Sequence, residues 1–369
     1  MTRPDPKPVM EVHNVRKAFR GHRGLGELLP WGTTQETVAL DDVSFRLERG
    51  RVLGLVGESG SGKSTLANIL VALERPTGGR VLFDGTDLWT MSNAARRLFH
   101  RHVQMVFQDP YASLNPRFTV RRTVEEPLAI HRYDRWERLD RVIAALEQSE
   151  LRPGHAFLGK YPHELSGGQR QRVAIARAIV LEPDVLIADE PVSMLDVSVR
   201  AGILRLLRSL VDRTRMALVF ITHDLSLIGQ LCDSVAVLYR GRICEFGPAD
   251  AVLDRPMHPY TRLMISAVPV PDPSGAASGF ELPQFETEAA SGRPPGCSFA
   301  PRCAFAVDRC RAVVPPLRDV GALREAACHR AEELDIGAPA ARGRTHPEHG
   351  SEPRAEESHD GHTLRARDR

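Results

Sequence analysis

The residues best placed to do chemistry stand in GESGSGKST, Gly57 to Thr65. The glycines let backbone N–H groups close around phosphate oxygens, and the lysine and hydroxyl that follow complete the spacing Gly-x4-Gly-Lys-Ser. The run follows the apolar VLGLV and precedes TLANILVAL, so it is expected to join a buried strand to a helix whose positive end faces the anion. Gly57, Glu58, Ser59, Gly60, Ser61, Gly62, Lys63, Ser64 and Thr65 then form a cradle for nucleotide phosphates. Lys63 should reach the β- and γ-phosphates, and Ser64 should ligate the accompanying magnesium. A second candidate is VLIADE, Val185 to Glu190. Its apolar residues make a buried strand whose end presents Asp189, suited to the magnesium side, and Glu190, suited to orienting an attacking water.

Such groups need a rigid frame. From residue 9 to about 265 the chain alternates β-branched runs (VLGLVG, VQMVFQD, VLIADEP, ALVFITHD, VAVLYRG) with helical patterns such as ANILVAL and VAIARAIVL. That rhythm predicts an α/β domain with a largely parallel sheet. AARRLFHRHV and RWERLDRVIAALEQSEL carry helical periodicity. SAVPVPDPSGAASG then reads as a linker, opening a small region over residues 266–335 that contains a cysteine cluster. The last stretch, residues 336–369, has almost no apolar side chains and is expected to be a disordered tail.

Composition limits the partners. A formal charge of +2 on 369 residues argues neither for a nucleic-acid binder nor for a basic membrane-surface protein. No apolar run approaches the roughly 18 residues of a membrane span, so work at a membrane would proceed by docking. MTRPDPKPVMEVHNV has prolines and charges where a secretory signal would be apolar, so a cytosolic location with reduced thiols is expected. Cys232 and Cys244 read as ordinary core thiols. Cys297, Cys303, Cys310 and Cys328 follow C-x5-C-x6-C-x17-C, a spacing that identifies no metal by itself; four thiolates can hold zinc or an iron–sulfur cluster.

LSGGQ, Leu165 to Gln169, opens an amphipathic arginine-bearing helix. Together with the phosphate loop, the acidic pair, Gln108 in VFQDP, Asp196 in SMLD and His223 in ITHD, it resembles the ATP-binding subunits of ABC transporters. The resemblance implies a phosphate-loop NTPase with a RecA-like core over residues 9–265 and a helical subdomain over about 92–164. In that subdomain a groove beside Gln108 would receive a cytoplasmic helix of a membrane permease. It implies that Ser166, Gly167, Gly168 and Gln169 of one subunit cap the ATP held by another, and that Asp196 helps set the geometry across the seam. Gln108 would sense the magnesium and water side, His223 would contact the γ-phosphate, and Phe19 would stack on adenine. Catalysis would rest on Glu190, His223, Gln108 and Lys63, and magnesium on Ser64, Gln108 and Asp189. Met194 stands where the family usually has a small residue, which concerns local packing.

A narrower resemblance is carried by QDPYASLNPR, EPVSMLDVSV, HPYTRLMISAVPVPDP and GCSFAPRC. They are similar to the oligopeptide and dipeptide importer branch, which also includes nickel and glutathione importers. SAVPVPDP and GHRGLGELLPWGTTQE resemble that branch's second, F-type ATPase subunit. The implied partners are a second, non-identical ATPase in a head-to-tail heterodimer, two permease subunits and an extracellular substrate-binding protein, with no nucleic acid. The implied place is the cytoplasmic face of the cell membrane, as a peripheral protein. The implied cofactors are ATP, Mg2+ and a [4Fe-4S] cluster on Cys297, Cys303, Cys310 and Cys328, with zinc or bare thiols as alternatives. Cargo would be oligopeptides or dipeptides, with nickel, glutathione or another small solute as the alternative. A soluble, non-transport ABC ATPase is the rival class; the single motif set and the absence of a long coiled coil speak against it.

Overall fold

A computed structural model describes residues 7–20, 36–267 and 294–334. All lie in one compact unit, Met1–Pro339. The expected tail over 336–369 and most of the linker fall outside the described residues.

The chain begins with β1 (Met10–Arg20), β2 (Glu36–Leu47) and β3 (Val52–Val56), then α1 (Lys63–Leu70), β4 (Gly78–Phe83) and β5 (Thr86–Asp87). Next come α2 (Asn93–His102), β6 (Val103–Val106), and the helices α3 (Pro110–Ser113), α4 (Val120–Ile130), α5 (Arg135–Gln148) and α6 (Gly167–Ile179). The unit continues through β7 (Val185–Asp189), α7 (Val197–Thr214), β8 (Ala217–Thr222), α8 (Leu225–Leu231), β9 (Ser234–Tyr239) and β10 (Arg242–Pro248). It ends with α9 (Ala249–Asp254), α10 (Pro259–Ser266), α11 (Asp308–Ala312), β11 (Arg318–Gly321) and β12 (Arg324–Ala326).

The large sheet has the order β11-β12-β10-β9-β3-β8-β7-β6, parallel from β9 to β6. Its central strands are apolar without alternation because both faces are covered. On β7, Leu186 and Ala188 join the core under α4 to α8, while Val185 and Ile187 join the core under α1. The same split runs through β8, where Leu218 and Phe220 face one way and Ala217, Val219 and Ile221 the other.

A second sheet, not expected from the sequence, is antiparallel and four-stranded in the order β2-β1-β4-β5. Val12, Val15, Leu40, Val43, Leu47 and Val81 line its inner face and meet Leu66, Ile69 and Leu70 of α1. The phosphate-loop helix is therefore clamped between two sheets. Within residues 92–164, α4 and α5 bury Val120, Val124, Leu128, Val142 and Leu146, whereas β6 belongs to the large sheet and pairs with β7.

The small C-terminal region is built onto the sheet. β12 pairs antiparallel with β10, joining Glu245 to Ala326 and Phe246 to Glu325 in register. Beneath that seam Arg324 donates to Glu245 at 2.7 Å and to the carbonyl of Arg255. The Glu245 carboxylate also accepts the N–H groups of Met257 and His258 at 2.9 and 3.0 Å. A fully buried carboxylate thus has an ion-pair partner and two peptide donors, the condition under which a buried charge is tolerated.

Candidate nucleotide site

The phosphate loop leaves β3 and enters α1 through three glycines with different duties. A Cβ on Gly57 would come within 2.1 Å of the Leu238 carbonyl, so only glycine lets the loop rest on β9. Gly60 and Gly62 have φ of +76° and +107°, left-handed conformations that glycine adopts without strain. Gly62 is also the residue that opens α1.

Lys63 is buried and donates to the carbonyls of Gly57 and Glu58 at 2.7 and 2.9 Å. Burial lowers its pKa, opposed by the carboxylates of Glu190, Asp189 and Glu58. Ser64 hydrogen-bonds to Asp189, whose carboxyl burial pushes up while Ser64 and Lys63 hold it down. Two of the three groups expected on the magnesium side, Ser64 and Asp189, are therefore together, while Gln108 is paired with Glu190. The Ser61 hydroxyl is buried with no hydrogen-bond partner, a polar atom suited to a ligand oxygen.

Glu190 follows β7 with φ of 45°, a left-handed conformation that costs a non-glycine residue about 1–2 kcal/mol. Its N–H donates to the Ile221 carbonyl at 3.0 Å, which ties the turn to β8. Gln108 Nε2 donates to Glu190 Oε2 at 3.0 Å, and His223 Nδ1 lies 3.2 Å from Oε1. One carboxylate therefore joins residues from the ends of β6, β7 and β8, all at the carboxyl edge of the parallel sheet, where open α/β sheets bind ligands.

The signature residues lie at the start of α6. Ser166 caps the helix, its hydroxyl accepting the Gln169 N–H at 3.2 Å, while the Gln169 side chain accepts the Ser166 N–H at 3.0 Å. This reciprocal box leaves Ser166 exposed and presents Gly167 and Gly168 in the first turn, where peptide N–H groups have no helical partner. A Cβ at Gly168 would meet the Val199 side chain at 2.7 Å. Asp196 opens α7 and is exposed, as is Met194. Met194 therefore points to solvent rather than into the core. Phe19, on β1, is 40% exposed, with the Lys17 ammonium 4.9 Å from its ring centre.

Two residues that contact the phosphate loop escape the sequence reading: Tyr260, whose hydroxyl accepts the Glu58 N–H, and Arg302, which pairs with the Glu58 carboxylate. They stand in HPY and PRC, stretches in which nothing points to a loop more than 200 residues away.

Cys297, Cys303, Cys310 and Cys328 line one cavity of about 20 Å3, roughly one water in size. Burial raises the thiol pKa of Cys297 and Cys303 and pushes Cys328 up to about 11. Three sulfurs accept a peptide N–H from two residues on: Cys297 from Phe299, Cys303 from Phe305, and Cys328 from Arg330. Among the described residues, no group of three or more His, Cys, Asp or Glu is arranged to hold a metal ion. Cys244 is buried and donates to the Val237 carbonyl at 3.3 Å.

Residues 40–193 match the family described as ABC transporter, and residues 244–310 match the oligopeptide/dipeptide transporter C-terminal region. The chain is 47% identical to the di/tripeptide transport ATP-binding protein DppF of Pseudomonas aeruginosa, over 80% of this chain and 91% of that protein. It is 39% identical to the oligopeptide transport ATP-binding protein AppF of Bacillus subtilis, over 89% and 99%. Among solved structures, the dimeric MJ0796, a bacterial ABC transporter cassette, superposes with TM-score 0.56 at 30% identity, covering 65% of this chain and 98% of that one. With the cassette's fold, a phosphate loop facing Glu190 and a matching C-terminal region in one polypeptide, the chain belongs to the ATP-binding proteins of ABC transporters, in the oligopeptide/dipeptide group.

Proposed function

We propose that this chain binds and hydrolyses MgATP to drive the uptake of oligopeptides or dipeptides through a membrane permease. The observation that carries the reading is the joining, in one compact unit, of the nucleotide site with the C-terminal region over residues 244–310. Lys63 would neutralise the β- and γ-phosphates while Ser64, Asp189 and Gln108 hold the magnesium that arrives with them. Glu190 would orient the attacking water and accept its proton, and His223 would move from Glu190 to the γ-phosphate.

Ser166, Gly167, Gly168, Gln169 and Asp196 would act in trans, on nucleotide held by a second, non-identical ATPase, and Phe19 would stack on adenine. The half-exposed first turn of α6, where the N–H groups of Gly167 and Gly168 have no helical partner, supports that role. A groove of about 250 Å3 beside Gln108, lined by Met105, Phe107, Ile130 and Ala174, is suited to an apolar permease helix. Among the described residues no helix is long and apolar enough to cross a membrane, which fits docking at the cytoplasmic face onto two permease subunits supplied by an extracellular binding protein. On this reading residues 9–265 are the ATPase and 266–335 its importer-specific extension.

The four clustered cysteines would hold a [4Fe-4S] cluster. Four thiols around one cavity would supply the donors, and the peptide N–H groups at three sulfurs offset part of the burial that raises their pKa; the sulfurs would have to shift to reach ligand spacing. The cavity would have to widen to admit it. Bound there, the group would cross-link the extension; no step of hydrolysis uses it.

Reconstitution of the chain with its permeases and partner ATPase in lipid tests the reading. ATP hydrolysis should rise when the binding protein is loaded with short peptides. Stimulation by nickel or glutathione and not by peptides would move the cargo to the alternative, and hydrolysis indifferent to any loaded binding protein would remove the transport role.

A further inference from the structure

Glu58, the first variable residue of the phosphate loop, is held on two sides, by Tyr260 at the end of the ATPase and by Arg302 of the extension. Its N–H donates to the Tyr260 hydroxyl at 2.9 Å. Its carboxylate accepts both terminal nitrogens of Arg302, at 2.9 and 3.0 Å, a fork-to-fork pair. Arg302 closes the short turn Ala300–Arg302 and directly precedes Cys303.

The platform beneath this grip is aromatic. Tyr239 at the end of β9, Tyr260 in α10 and Phe299 before the turn pack together in tilted and edge-on contacts, with ring centres 4.5 to 5.5 Å apart. The Arg302 guanidinium lies 5.6 Å from the Phe299 ring and 5.9 Å from Tyr239. Tyr239 follows Leu238, the residue against whose carbonyl Gly57 is pressed. His258 fixes the start of α10 by accepting the Tyr260 N–H at 3.0 Å, and burial holds it neutral by pushing its pKa down to about 4. One face of the phosphate loop thus rests on a block shared by the ATPase and the extension.

We propose that Arg302 is a positioning residue for nucleotide binding: by neutralising the Glu58 carboxylate, the extension sets the affinity for ATP. The inference rests on the nucleotide reading above. An unpaired carboxylate in the phosphate loop would meet an incoming polyphosphate with a like charge, and the guanidinium cancels it. The pair is partly exposed, at 33% and 44%, so its influence is screened by salt.

Equilibrium binding of MgATP to the full chain tests this, with KM and kcat measured in the assembled transporter. Arg302→Ala should weaken binding roughly three- to tenfold and raise KM to match while kcat stays within about twofold. Arg302→Lys should recover part of the loss. Arg302→Ala combined with Glu58→Gln should recover most of it, because the repelling charge is gone, a rescue that a merely structural role for Arg302 would not produce. The loss in Arg302→Ala should shrink at high salt. Unchanged affinity in Arg302→Ala, or a double variant as weak as the single, overturns the proposal while the wild type still binds MgATP. A wild type that does not bind MgATP overturns the nucleotide reading itself and this proposal with it.

Discussion

His223 Nδ1 lies 3.2 Å from one oxygen of Glu190, while Gln108 occupies the other oxygen at 3.0 Å. The carboxylate is the meeting point of three strand ends. Binding MgATP must divide this contact, because a base that orients water cannot keep both oxygens engaged with its own chain.

Glu190→Gln should therefore lower the ATPase rate of the assembled transporter by about 10^2- to 10^4-fold while nucleotide binding persists. The amide keeps the shape but cannot accept the water's proton. Steady-state phosphate release beside equilibrium binding checks this, and an unchanged rate would remove Glu190 from the chemistry.

Lys63 gives a pH dependence. Burial lowers its pKa below the ordinary lysine value of about 10.4. The anion-binding ammonium is fully present below that lowered value and is lost as pH rises through it. The MgATP dissociation constant should be flat near neutral pH and climb by up to about tenfold per pH unit at alkaline pH, sooner than for an exposed lysine. Lys63→Met should bind weakly at every pH and show no such slope. A flat wild-type profile to about pH 10 would contradict the assignment.

Arg324→Met should destabilise the chain by about 3 kcal/mol, since it leaves Glu245 buried beside only peptide donors and the neighbouring Thr261. Adding Glu245→Gln should return much of that stability. The deficit of the single variant should shrink as pH falls, because an unpaired Glu245 takes up a proton and ceases to be a buried charge. Denaturant unfolding at two pH values measures all three.

Anaerobic reconstitution should load about four irons per chain with matching sulfide, and Cys303→Ser should reduce that load while leaving MgATP binding within about twofold. Iron and sulfide analysis with the visible spectrum near 400 nm checks it. Iron-free protein under those conditions would leave the four cysteines as plain thiols.

The legible parts of the site are those where neighbours in sequence are neighbours in space. Gly57 to Thr65 fold on themselves, and Asp189 and Glu190 end a strand of unbroken apolar residues, so pattern and geometry coincide. The antiparallel sheet was less visible: β1 and β2 take their partners from each other and from β4, and their hydrophobic alternation is broken by register shifts at Val12, Val15 and Lys17. Tyr260 and Arg302 left no local signal, because what makes them matter is a contact across 202 and 244 residues. The helical patterns 93–102 and 135–148 were readable from their periodicity, but that β6, beginning at Val103, belongs to the large sheet depends on pairing with β7.

The hydrogen bonds between β12 and β10 give the extension a further task. Without them β10 would present a bare row of N–H and C=O groups at the end of a large sheet, a template for pairing with another chain. The strand that now ends the sheet, β11, is four residues long and carries Arg318 and Asp319, features that discourage such pairing. Shortening the protein before residue 294 would therefore do more than delete a module: it would turn a finished border into a sticky one, and the truncated ATPase would self-associate.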